Sequence, residues 1–269
     1  IRSGTYNNAD NDALYFGYNG ISHYSSSEKF DVNNYMKKIG FHYNSFNLNY
    51  ANGSTLAMNS YLGLKYFIDK GTNRNFDFVR YLDEVNYDSA TYHVYANKYV
   101  LPFLMSTRPH TSTYIGEGKW LNATDVYWFD MFEYQNHLFK GLTGHVVDEH
   151  GNQKDIFKKA TVNRTLSPSV TNTSDYRYNV TNNGTITYNV TLDKATNYYY
   201  YIATSNRNDL TLSENGMPLT YFSYHGYQIN GIRNDRAQTT LRVSINAPRE
   251  NVEIKEAIYY EDLDVLNEY

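Results

Sequence analysis

Three groups of side chains in this sequence have the types and spacing to do chemistry. Asp125, Asp130 and Glu133 fall in one helical pattern, and Asp130 and Glu133, three apart, can share a face of it. Paired carboxylates can hydrolyse a glycoside, while two exposed acids on one helix also make an ordinary solvated face. Trp120 and Trp128 flank the start of the same pattern, close to Tyr114 and Tyr127. Aromatic faces stack on the C–H groups of sugar rings, so these four are candidate carbohydrate-binding residues. Core or interdomain packing is the competing reading, favoured by the area such rings bury. The third group is His145, Asp148, Glu149 and His150. A zinc helix needs H-E-x-x-H so that both imidazoles share a face. Here the histidines are five apart and flanked by Gly144 and Gly151, which suits a loop, and no metal is expected. His23 and His93 sit in apolar strand patterns and read as core or interface residues. With no Walker A, G-x-G-x-x-G or G-x-S-x-G pattern present, neither a cofactor nor a catalytic residue is assigned.

Composition narrows the setting of these groups. The 269 residues suffice for one large or two medium domains, and 41% hydrophobic residues suffice for real cores. A net charge of −4 offers no basic face for nucleic acid. Mean hydropathy is −0.65, that of a water-soluble chain, and no apolar run approaches the roughly 18 residues needed to cross a bilayer. The absence of cysteine removes disulfides, thiolate metal sites and cysteine nucleophiles together. Aromatic content is high, with 30 tyrosines; the apolar face and polar tip of tyrosine suit extracellular β-domains and sugar-binding surfaces. The chain opens at Ile1 without a leader pattern and stops at Tyr269 in an acidic, helix-like stretch, so both ends read as cut edges of a longer protein.

The elements that must position these residues follow from periodicity. Ala13 to Ser27, with its Tyr18-Asn19-Gly20 turn signal, is expected as a buried strand or tight loop at the centre of the first domain. Asp31 caps a helix whose Val32, Tyr35, Met36 and Ile39 form an apolar stripe, closed by Gly40. Ser54 or Thr55 caps a short helix over Leu56 to Tyr61, followed by a buried strand over Leu64 to Ile68 with Lys65 at its edge. Gly71 to Arg74 reads as a turn, and Tyr92 to Tyr95 as strand. A helix over Val126 to Leu142, capped by Asn122 or Thr124, ends at Gly141 and Gly144. Val146 to Lys159 reads as a polar connection turning at His150-Gly151-Asn152. From about Thr161 only short β segments occur. They include Ile186, Tyr188 and Val190 in alternation, Tyr198 to Ala203 buried on both faces, an Asn215-Gly216 hairpin, and Leu241, Val243 and Ile245 facing inward. The fold class expected is α+β: an N-terminal α/β domain over residues 1–158, then a jelly-roll-like β-sandwich over residues 159–269.

Several segments in fixed order also resemble a known family. YNGISHYSSS from Tyr18 is followed by DVNNYMKKIGF from Asp31 and by NGSTLAMNSYLGLKYFI from Asn52. NKYVLP from Asn97 and FEYQNHL from Phe132 come next. This order resembles the extracytoplasmic part of the YfhO family of bacterial polytopic membrane proteins. The matching positions are Tyr18, Asn19, Gly20, Ser25, Ser26, Gly63, Lys65, Tyr66, Asn97, Leu101, Pro102, Gln135 and Asn136, and their roles read as structural. The back half resembles the family only as a β-rich tail, and the aromatic block near Tyr198 departs from its pattern. The resemblance implies a parent similar to GT-C-class glycosyltransferases that take a sugar from a polyprenyl-phosphate carrier to cell-envelope polymers such as lipoteichoic acid. It also implies location at the extracytoplasmic face of a Gram-positive cell membrane, with membrane spans outside this sequence. The acidic catalytic residues of the family lie in a loop that has no counterpart here. Implied partners are an envelope glycopolymer or a polyprenyl-phosphate sugar. A carbohydrate-binding or protein-interaction module that stands alone is the alternative.

Overall fold

Short strands and helical turns alternate along the first part of the chain. The computed structural model describes residues 2–5, 23–24, 35–44, 47–49, 53, 55–70, 80–87, 89–101, 130–143, 146–204, 210–219, 229–232 and 236–269. Most of the stretch 13–27, the Asp31 cap, the 71–74 turn, and Tyr114, Trp120, Tyr127 and Trp128 lie outside the described residues.

Strand β1 (Arg2–Thr5) is followed by a small sheet of β2 (His23–Tyr24), β3 (His42–Asn44) and β4 (Asn47–Asn49), in the order β2-β4-β3. Residues 35–38 are helical, with Met36 and Ile39 buried as the stripe predicts. Gly40 ends this turn at φ +89, and a Cβ there would lie 2.4 Å from Ile229 Cδ1, so both conformation and space require glycine. Helix α1 (Leu56–Tyr61) is capped by Thr55, whose Oγ1 accepts from the Met58 N–H at 3.1 Å. Strand β5 (Leu64–Lys70) follows, with Leu64 and Phe67 buried and Lys65 exposed. Strands β6 (Arg80–Tyr87) and β7 (Ala90–Ala96) complete a sheet in the order β1-β5-β7-β6. Only β1 and β5 in it run parallel, so the first part is less α/β in character than its pattern suggests.

Helix α2 (Met131–Thr143) starts later than its apolar pattern. Asp130 Oδ1 accepts from the Phe132 and Glu133 N–H groups at 3.0 and 3.2 Å. Asp130 is thus the cap of the helix and not a member of its face. Gly141 lies buried within the helix and does not end it. The connection after it turns at residues 149–151 and is bridged by Val147 and Gln153. It is more ordered than expected, because its last residues form strand β8 (Phe157–Lys159).

Beyond β8 the described chain is β-sheet up to a final turn of helix. The strands are β9 (Val162–Leu166), β10 (Val170–Ser174), β11 (Arg177–Val180), β12 (Gly184–Thr191), β13 (Tyr198–Thr204) and β14 (Leu210–Glu214). Then come β15 (Met217–Pro218), β16 (Asn230–Ile232), β17 (Gln238–Ile245) and β18 (Arg249–Glu261), and helix α3 (Leu263–Glu268). One sheet has the order β10-β11-β18-β13-β16, with β8 paired to β18; the other has the order β15-β14-β17-β12-β9. All of these pairings are antiparallel. The protein as described is mostly β-sheet with few helices.

The two sheets enclose a core of Tyr178, Tyr200, Ile202, Val252 and Ile254 from one side and Ile186, Tyr188, Leu241, Val243 and Ile245 from the other. Strand β13 is buried along its whole length. Its Tyr198, Tyr200 and Ile202 enter this core, while Tyr199, Tyr201 and Ala203 enter a second core with Met36, Phe41, Met58, Phe67, Phe132 and Phe139. Phe132 of α2 stacks on Tyr259 of β18 at 4.6 Å. The alternation of a strand, period two, thus gives one sheet two apolar faces.

Candidate functional site

The outer face of β18 carries Lys255, Ala257, Tyr259 and Glu261 at alternate positions, facing α1 and α2. Polar groups at such positions stand out, since Ala257 and Tyr259 between them are core residues. Glu261 is completely buried. Its Oε1 accepts from the Ala57 N–H at 2.7 Å; its Oε2 accepts from Asn197 Nδ2 at 2.8 Å and from the Tyr199 hydroxyl at 3.2 Å. Tyr199 Oη in turn accepts from the Leu56 N–H at 3.0 Å. The carboxyl and the Tyr199 hydroxyl together therefore satisfy two buried amides at the start of α1, those of Ala57 and Leu56. Burial pushes it up to about 7, against the pull of its three donors.

The second polar group on this face contains Asp130, Glu133, Lys159 and Lys255. Asp130 Oδ2 accepts from the Tyr259 hydroxyl at 2.9 Å, so both of its oxygens are committed. Burial raises the Glu133 carboxyl, and the charge of Asp130 adds to this, while Lys159 and Lys255 draw it back. Burial lowers the Lys255 ammonium, opposed by Asp130 and Glu133. With Asp130 occupied as a cap, the arrangement does not offer two free carboxylates for glycoside chemistry.

The positions singled out by their motifs are placed as follows. Asn97 Nδ2 donates to Ser60 Oγ at 3.1 Å and to the Leu64 carbonyl at 3.3 Å, while its Oδ1 accepts from the Tyr99 N–H at 2.9 Å. Gln135 bridges Thr55 Oγ1, at 2.8 Å, and the Ile39 carbonyl, at 3.1 Å. Asn136 engages Phe157 twice, donating to its carbonyl at 2.9 Å and accepting from its N–H at 2.8 Å. A side-chain amide here stands in for a neighbouring strand at the end of β8. Gly63 turns the chain at φ +71 between α1 and β5. Leu101 donates its N–H to the Ser60 carbonyl at 3.1 Å; Lys65 is exposed and Tyr66 half-buried. Tyr18, Asn19, Gly20, Ser25, Ser26 and Pro102 lie outside the described residues, as does His145. Asp148 accepts from the backbone of His150 and Asn152, an exposed turn, and those bonds hold its carboxyl low. Among the described residues no cluster of three or more metal-ligating side chains occurs.

Sequence reasoning did not single out Glu261, Lys255 or Tyr259. The available signal was a charged residue at each end of an otherwise apolar alternation.

Among the described residues no helix is long and apolar enough to cross a membrane. No curated protein matches the chain. A family model described as bacterial membrane protein YfhO matches residues 3–268, and with the ordered motifs now placed in the fold, the chain belongs to the YfhO family of bacterial membrane proteins.

Proposed function

We propose that this chain is an extracytoplasmic lobe of a polytopic membrane protein that assists glycosylation of cell-envelope polymers such as lipoteichoic acid. The observation that carries the reading is a membrane-protein family match over residues 3–268 on a chain whose described helices are all too short or too polar to span a bilayer. The reactive groups then belong to the membrane part of a GT-C-like parent, in a Gram-positive envelope, and the lobe guides a glycopolymer or a polyprenyl-phosphate sugar. A jelly-roll-like winding of the sandwich suits this role, since it leaves one sheet free for a ligand. Trp120, Trp128, Tyr114 and Tyr127 are the proposed sugar-stacking residues. The motif residues Asn97, Gln135 and Asn136, all buried in hydrogen bonds, support a scaffolding role for the matched segments. A second reading, a carbohydrate-binding or protein-interaction module without membrane spans, draws on the polar outer face of the β-sandwich.

Deleting this segment from the full-length reading frame, with flanking spans kept, tests the proposal. The expected result is loss of sugar on the envelope polymer with the parent still inserted in the membrane. The isolated chain should show neither glycosyl transfer nor glycoside hydrolysis. Robust turnover by the isolated chain, or a reading frame without hydrophobic spans on either side, would sink it.

A further inference from the structure

The outer face of the β15-β14-β17-β12-β9 sheet carries no apolar side chain along its two central strands. Alternation sends Thr185, Thr187, Asn189 and Thr191 of β12 outward, beside Thr240 and Arg242 of β17. No Asp or Glu occupies an outward position of either strand. At one end of this face is a cavity of about 280 Å³, lined by Ser213, Asn215, Gly216, Arg236, Thr240 and Arg242.

Arg236 and Arg242 meet at this cavity, and among the described residues neither joins an ion pair. Glu214, the nearest acid along β14, lies on the opposite side of that strand with Leu210 and Leu212, where its charge is felt by buried Tyr200. The cavity wall is fixed. Asn215 and Gly216 turn at φ +51 and +84, the Asn215 N–H donates to the Thr240 carbonyl, and Asn215 Oδ1 accepts from the Thr240 N–H at 2.9 Å. This leaves the Asn215 NH2, the Ser213 hydroxyl and two guanidinium forks as donors.

Like charges gathered in a chain of net charge −4 call for an anion between them. Planar guanidinium forks match the paired oxygens of a phosphate. The hydroxyl and amide groups along β12 suit a polyol backbone, and Met217 beside Gly216 is the exposed apolar side chain next to the cavity.

We propose that this cavity binds a phosphodiester of an anionic polyol-phosphate polymer, with Arg236 and Arg242 gripping the phosphate. The identity of the polymer rests on the envelope-polymer reading above, whereas the anion site stands on the cavity itself.

The test is equilibrium binding of the chain to a polyglycerol-phosphate polymer at low and physiological salt, with phosphatidylglycerol vesicles and inorganic phosphate as separate arms. The polymer should bind. The double variant R236Q/R242Q should weaken binding at least tenfold and flatten its salt dependence, whereas K98Q, which removes an exposed charge elsewhere, should not. Far-UV circular dichroism checks that the variants are folded. In the wild type, polymer should also protect Arg236 and Arg242 from phenylglyoxal. Undiminished binding by the double variant or absence of protection would overturn the site; binding of vesicles or inorganic phosphate but not of polymer would overturn the polymer as its occupant. If polymer binding fails while deletion of the segment still abolishes polymer glycosylation, the cavity assignment falls and the accessory-lobe reading stands. If binding holds but deletion leaves glycosylation intact, the reverse is true.

Discussion

Glu261 is a buried acid that stays close to neutrality, and this has a consequence for pH. Its ordinary carboxyl value is 4.5, and in the fold it is raised to about 7. Folding therefore takes up a proton between those limits. The contribution is complete below the unfolded value and is lost as pH rises through the folded one, about 3 kcal/mol in all. Urea midpoints of the wild type should fall between about pH 5 and pH 8, and those of Glu261→Gln should stay nearly level across that window. A midpoint that rises with pH in the wild type would contradict the burial argument. Two tyrosines of β13 allow a paired test. The Tyr200 hydroxyl is buried and meets no hydrogen-bond partner among the described residues, whereas that of Tyr199 joins Leu56 to Glu261. Tyr200→Phe should leave stability unchanged or raise it by up to about 1 kcal/mol, and Tyr199→Phe should lower it by about 2 kcal/mol, since it strands buried partners.

At the scale of elements, the buried amides act as joints. Asn136 ends β8 on α2, and Gln135 joins the turn after residues 35–38 to the cap of α1. Asn136→Leu removes both bonds to Phe157 and leaves a buried N–H and carbonyl unmet, a cost of about 2–4 kcal/mol. The expected readout is a lower melting temperature together with faster hydrogen exchange at the Phe157 amide. Normal protection of that amide would show that β8 holds by its pairing with β18 alone. The Thr55 cap and the Gly40 stop were legible because each is a local rule written in one or two residues. The start of α2 was not. Its apolar pattern runs upstream of Met131, and the local hydrogen bonds that Asp130 accepts from the Phe132 and Glu133 N–H groups decide the boundary, so Asp130 could be mistaken for half of an acid pair.

At the scale of the molecule, the β10-β11-β18-β13-β16 sheet is a wall common to two cores. Tyr198 and Tyr200 face one, Tyr199 and Tyr201 the other. Unfolding either side uncovers a full face of apolar and aromatic area, at roughly 25 cal/mol per Å², which couples the two sides. Near-UV and far-UV circular dichroism should therefore report a single coincident transition. A chain beginning after Lys159 would expose Tyr199, Tyr201 and Tyr259, and should bind a hydrophobic dye. Two separated transitions would show the cores to be independent.

What the sequence by itself determined is what period and composition determine: the alternating strands β12 and β17, the fully buried β13, the Asn215-Gly216 hairpin, the capped α1, and the ordered motifs of the family. These depend on neighbours a few residues away, and the chain carries that information locally. Only the tertiary structure decided which polar residues are brought together. Glu261 reaches Ala57 and Tyr259 reaches Asp130 across more than a hundred residues. Arg236 and Arg242 share a cavity because a hairpin folds beside β17. Burial and charge are properties of those distant neighbours, so no spacing along the chain could foretell them.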